Sequence, residues 1–130
     1  MEHVPSKPRN LLYVSHNESS NVKRMGIKSL FYDKDWAEVN EQRVPYHKFL
    51  SNLSNSKFMI CPIGNAIDCH RNWEVLYMRR VPVMTRHPYL QKLFENYPVL
   101  FVDSIVMSLK NYCLQMIIYF RKHKQWIYQD

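Results

Sequence analysis

Residues 56–84, SKFMICPIGNAIDCHRNWEVLYMRRVPVM, decide how this chain is read. In order they hold an apolar run at Lys57–Cys61, a short loop around Gly64, a helical pattern from Asp68 to about Arg80, and the start of a second apolar run, Val81–Thr85, which ends one residue further on. Short apolar runs bounded by turn residues read as buried strands. Pro62 stops the first of them, and Asp68 is suited to N-cap the helix. Pro82 implies that the second strand begins there or has a free edge at that point.

The same alternation extends outward in both directions. Upstream, Asn10–His16 reads as a strand, Asn17–Ser20 as a polar loop and Asn21–Tyr32 as a helix. That helix has Val22, Met25, Leu30 and Phe31 as core contacts and Gly26 as a weak point. Trp36–Val39 is a short strand, and Pro45 opens a helix to about Asn55 with Tyr46, Phe49, Leu50 and Leu53 on one face. Downstream, Tyr89–Asn96 is a short helix and Val99–Asp103 a strand. The long final helix, Ile105 to about Trp126, is apolar at Leu109, Tyr112, Cys113, Met116, Ile117 and Phe120. Buried strands alternating with helices predict an α/β fold: a single Rossmann-like domain over 1–130, its parallel sheet of about five strands covered by helices on both faces. Residues 1–9 are expected to be a flexible N-terminal segment. In such sheets ligands bind beyond the carboxyl ends of the strands, near a switch in strand order. That directs attention to the loops after His16, Cys61, Thr85 and Asp103.

Composition narrows the function. The 130 residues make one domain by length, and 46% hydrophobic with 22% charged residues speaks against disorder. No apolar stretch is long enough for a membrane-spanning helix, and the N-terminus has no signal-peptide pattern. Cys61, Cys69 and Cys113 form no CxxC pair and read as buried free thiols, which favours a reducing compartment such as the cytoplasm. The six histidines lack metal-ligand spacing on a helix face, so zinc is not suggested. A net charge of +7 favours anionic partners: nucleic acid, acidic lipid or phosphate-bearing small molecules.

The loop after Cys61 is the strongest candidate site. Gly64 lets backbone approach a ligand closely, and the helix that follows presents free N–H groups to a phosphate. Arg71 offers a fork matched to phosphate oxygens, and Glu74 shares its face and could accept hydrogen bonds from ribose hydroxyls. Cys69, Trp73 and Leu76 occupy another face and are expected to pack on the sheet. The plainer alternative is an Arg71–Glu74 surface ion pair worth a few tenths of a kcal/mol.

This stretch resembles the C-terminal nucleotide-sugar-binding region of exostosin-like glycosyltransferases. The shared pattern is a strand ending in Pro-x-Gly, a helix bearing Arg and Glu, and a strand beginning Ile/Val-Pro-Val. Here these are Pro62 and Gly64, Arg71 and Glu74, and Val81-Pro82-Val83. Upstream, Ser20, Asn21 and Arg24 match the polar loop and Arg-bearing helix that open this half-domain, and the similarity spans roughly residues 8 to 103. The resemblance implies one half of a GT-B glycosyltransferase, binding a nucleotide diphosphate-sugar donor for transfer to a glycan or similar hydroxyl acceptor. Arg71 and Arg24 would neutralise the diphosphate, Glu74 would bind the ribose, and Gly64, Asn65, Ser20 and Asn21 would line the donor pocket. It implies no metal and no cofactor beyond the donor substrate. A separate N-terminal, acceptor-binding half would be the expected partner, with a Golgi location if the chain is a fragment. Two departures accompany it: no acceptor half or catalytic base is identified in the sequence, and Arg80 stands where many family members have glycine.

Other features have plain readings. Asp33-Lys34-Asp35 mimics a metal-binding DxD but reads as a turn. His70 could shuttle a proton but reads as a helical surface histidine. Asp103 reads as an N-cap of the last helix. Arg121–Lys124 with Trp126 and Tyr128 suits a helix C-terminus, and also the surface of a single-strand nucleic-acid binder. A non-catalytic nucleotide-binding module and a basic nucleic-acid-binding domain are therefore the alternative functions.

Overall fold

The computed structural model describes residues 8–16, 26–62, 70–105 and 109–122. Sequence expectations for Ser20, Asn21, Arg24, Gly64, Asn65, Asp68, Cys69 and the stretch beyond Lys122 lie outside these residues, as does most of the 1–9 segment.

The strands are β1 (Asn10–Val14), β2 (Ala37–Val39), β3 (Ser56–Ile60), β4 (Val81–Thr85) and β5 (Leu100–Val102). The helices are α1 (Tyr46–Ser54), α2 (His70–Tyr77), α3 (Pro88–Leu93) and α4 (Leu109–Lys122). All strand pairs are parallel and the sheet order is β2-β1-β3-β4-β5. The domain is thus α/β and Rossmann-like, with a five-stranded parallel sheet. Among the described residues no helix is long and apolar enough to cross a membrane.

The order explains the layers. The chain steps from β1 to β2 in one direction, then from β2 past β1 to β3, β4 and β5 in the other. Right-handed crossovers therefore put α1, α2 and α3 on one face and the β1–β2 connection on the opposite face. Side chains of a strand alternate between faces, and the core divides accordingly. Tyr13, Met59 and Met84 pack with Phe49, Leu53, Val75, Leu90 and Phe94 on the first face. Leu12, Val14, Phe58, Ile60, Val81 and Val83 pack with Ile27, Phe31, Leu109, Cys113 and Ile117 on the second. Each large side chain so buried contributes about 1.5–3 kcal/mol. The edge strands β2 and β5 have three residues each, which leaves little exposed ladder. Pro82 fits an interior strand because the register with β5 begins only at Val83.

Two local expectations are corrected. The described part of the Asn21–Tyr32 helix is a 3₁₀ turn at Lys28–Leu30 flanked by other turns. Gly26 sits there at φ +83°, a conformation incompatible with an α-helix but open to glycine. Tyr46 stacks on Phe49, on the face of α1 expected for it, but is 61% exposed because the first turn of α1 stands at the carboxyl end of the sheet. Trp73 does not face the sheet; Asn72 and Val75 are buried instead, and Trp73 packs edgewise on Tyr97 and against Phe94 (ring centroids 5.5 and 4.6 Å).

The turn between α2 and β4 relies on two arginines. Arg79 adopts φ +61°, its N–H donates to Leu76 O, and the Arg80 N–H donates back to Val75 O. This is a Schellman C-cap, in which the left-handed residue is usually glycine. Arg80, 2% exposed, donates through its guanidinium to the carbonyls of Met78, Arg79 and Ser54. Ser54 is the last residue of α1, so one buried cation serves the carbonyl ends of two helices. The left-handed residue is thus Arg79, one before the position where the family resemblance expects glycine.

Candidate functional site

Strand order reverses at β1, whose neighbours β2 and β3 are reached from opposite directions. The carboxyl ends of β1 and β3 therefore flank the topological switch point, the position at which open α/β sheets bind ligands in a crevice. The residues after β1 are Ser15 and His16, with His16 buried. Asn40 follows β2, and α1 and α2 begin at this same end.

Arg71, in the first turn of α2, reaches across that boundary. Its Nη1 donates to the Ser15 carbonyl at 3.0 Å, 56 residues away in sequence. Its Cζ lies 4.1 Å from the centroid of the Phe49 ring in α1, a cation–π contact. Its Nε is 3.5 Å from Glu74 Oε1, so the ion pair of the plain reading is present. That pair is only one of three restraints. The guanidinium is bound to the end of β1, to α1 and to its own helix, yet its side chain stays 40% exposed.

Glu74 has a second partner in α1. The Tyr46 hydroxyl donates to Glu74 Oε2 at 3.0 Å, and the Tyr46 ring stacks on Phe49 with centroids 6.1 Å apart and 29° between planes. The hydrogen bond to Glu74 raises the Tyr46 pKa above its ordinary value. Ionisation would cost that bond and set two anions together.

Beneath this surface lies a polar network. Tyr13 donates to Asn40 Oδ1, while the Asn52 amide donates to the Tyr13 hydroxyl at 3.3 Å and to Asn40 Oδ1 at 3.4 Å. Burial raises the Tyr13 pKa, offset in part by hydrogen bonds with Ser15 and Asn52; the Glu38 charge raises it further and the Arg71 charge lowers it. The network joins β1, α1 and the loop after β2 under Arg71, and Phe49 packs on the Tyr13 ring at 5.9 Å.

Of the residues expected to bind a donor, Arg71 and Glu74 are brought together here; Gly64, Asn65, Ser20, Asn21 and Arg24 lie outside the described residues. Tyr46, Phe49 and Ser15 complete the arrangement and carry no motif of their own. Asp103 instead pairs with Arg86 Nε at 2.8 Å, joining the loops after β4 and β5. Asp33 and Asp35 are exposed in turns, with Asp33 Oδ1 3.6 Å from Lys34 Nζ. Among the described residues, no group of three or more His, Cys, Asp or Glu side chains is placed to hold a metal ion. Comparison with protein-family models finds none that matches the chain, and comparison with curated proteins finds no match either.

Proposed function

We propose that this chain is the donor-binding domain of an exostosin-like glycosyltransferase, holding a nucleotide diphosphate-sugar at the β1/β3 crevice. The observation that carries this reading is the anchoring of Arg71 across the strand-order switch, on Ser15 and Phe49. A diphosphate gains charge as its sugar departs, and a guanidinium already fixed in place stabilises that charge without reorganising. The Ser15 contact uses one of the five N–H donors of Arg71, and the diphosphate oxygens take others. Glu74 lies beside Arg71 as the acceptor for ribose hydroxyls. The net charge of +7 draws an anionic donor to the domain.

Calorimetric titration of the full chain with UDP, GDP and their sugar conjugates tests the reading. Binding of at least one nucleoside diphosphate is expected, weakened about 10- to 100-fold by Arg71→Ala, the equivalent of losing a charged hydrogen bond. Binding unaffected by that substitution, or no binding by the wild type, would overturn it. Sugar release from the bound donor, with or without an acceptor, distinguishes a catalytic domain from a binding module.

A further inference from the structure

The Glu74 carboxylate is held from two sides, by Tyr46 at Oε2 and by Arg71 at Oε1. A carboxylate offers about four acceptor positions, and the Tyr46 hydrogen bond takes one of them, so both oxygens keep a position open. Two adjacent acceptors on one planar group match a vicinal diol, the feature that separates a ribonucleotide from its deoxy counterparts. Tyr46 is 61% exposed, so burial does little to hold it. Its hydroxyl is fixed by Glu74, while its ring stacks on the same Phe49 that lies under Arg71. Tyr46, Glu74, Arg71 and Phe49 thus form a closed ring of contacts joining α1 to α2.

We propose that Tyr46 is a positioning residue for ribose selectivity: its hydroxyl holds the Glu74 carboxylate so that both oxygens meet the 2′- and 3′-hydroxyls together. This rests on the reading of the crevice as a nucleoside diphosphate site. Without the Tyr46 bond the carboxylate is restrained only through Oε1 and turns toward Arg71. One ribose hydroxyl then loses its acceptor.

Tyr46→Phe removes the hydroxyl and keeps the ring and its stack on Phe49, so the fold is retained. The 130-residue chain and this variant are titrated with UDP and GDP and with their 2′-deoxy and 3′-deoxy forms. The wild type is expected to prefer the ribonucleotide about tenfold or more, because a site built for a hydroxyl rejects its absence. In Tyr46→Phe the ribonucleotide weakens about 5- to 10-fold while the deoxy form that lacks the affected hydroxyl changes little, and the preference over that form collapses. Equal weakening of all forms, or an unchanged preference, overturns the role of Tyr46 and leaves the nucleotide site standing. Failure of the wild type to bind any of these nucleotides overturns both readings.

Discussion

Two adjacent arginines at the end of α2 are expected to shift stability in opposite directions. Arg79 holds φ +61°, where a residue with a Cβ loses about 1–2 kcal/mol relative to the right-handed region. Glycine relieves that strain but gives back about 0.5–1 kcal/mol in unfolded-chain entropy. Arg79→Gly should therefore stabilise by about 0.5–1 kcal/mol. At about 2.1 cal/mol/K per residue the 130 residues unfold with an entropy near 270 cal/mol/K, so Tm should rise by about 2–4 °C.

Arg80 must behave otherwise, because its guanidinium is buried on the carbonyls of Ser54, Met78 and Arg79. Arg80→Met keeps the aliphatic stem but strands those carbonyls. With charged hydrogen bonds worth about 1.5–3 kcal/mol and one of the three long, the expected loss is about 3 kcal/mol, or about 11 °C in Tm. Urea denaturation followed by circular dichroism reads both variants, with an unchanged m-value confirming that the comparison is of stability alone. If Arg79→Gly destabilises while Arg80→Met is neutral, the two arginines do not cap α2 in this way.

Tyr13→Phe should destabilise by about 1–2 kcal/mol, since the Asn40 and Asn52 side chains lose a buried partner. A double-mutant cycle with Asn52→Leu should show positive coupling, and strict additivity would refute the network. Burial pushes the Cys113 thiol from 9.0 up to about 12, so it stays protonated when folded while the unfolded thiol ionises near 9. The folded state therefore binds more protons between these values: its contribution is full below pH 9 and is lost as pH rises toward 12. Cys113→Val should flatten the alkaline decline, by up to about 1.4 kcal/mol per pH unit in that window. Identical alkaline titrations of the two proteins would refute the assignment.

The parallel sheet was legible because a strand buried on both faces leaves a continuous apolar run, as at Lys57–Cys61 and Val81–Thr85, and strand positions followed closely. Helix faces were less legible. Tyr46 shares the apolar spacing of Phe49 and Leu53, but periodicity does not say where a helix overhangs its sheet. The 3₁₀ turn at Lys28–Leu30 was missed because helical periodicity outweighed the single glycine beside it, and the positive φ of Gly26 is set by the chain path. At the site, the three-residue spacing of Arg71 and Glu74 was readable. Their partners Ser15, Phe49 and Tyr46 were not, because only the parallel topology brings such distant segments together.

A fixed Arg71 is also informative about what the fold gains. A mobile arginine surrenders about 2 kcal/mol of rotamer entropy when ordered. The cation–π contact with Phe49 contributes about 0.5–1 kcal/mol and a half-exposed ion pair with Glu74 less than about 1 kcal/mol. The charged bond to Ser15 adds about 1.5–3 kcal/mol, of which solvent exposure removes a share. These terms come close to cancelling the entropy cost, so the arrangement contributes little to stability. A surface ion pair of equal worth needs neither Ser15 nor Phe49 and could stand on any helix. What three partners from three segments secure is a guanidinium with one orientation at the strand-order switch; under the proposed function, its ordering cost is met before the diphosphate arrives. A ligand bound there keeps that part of its interaction energy. The same reasoning makes Tyr46 the informative residue beside it, since its hydroxyl orders the neighbouring carboxylate while its exposed ring contributes little to the core.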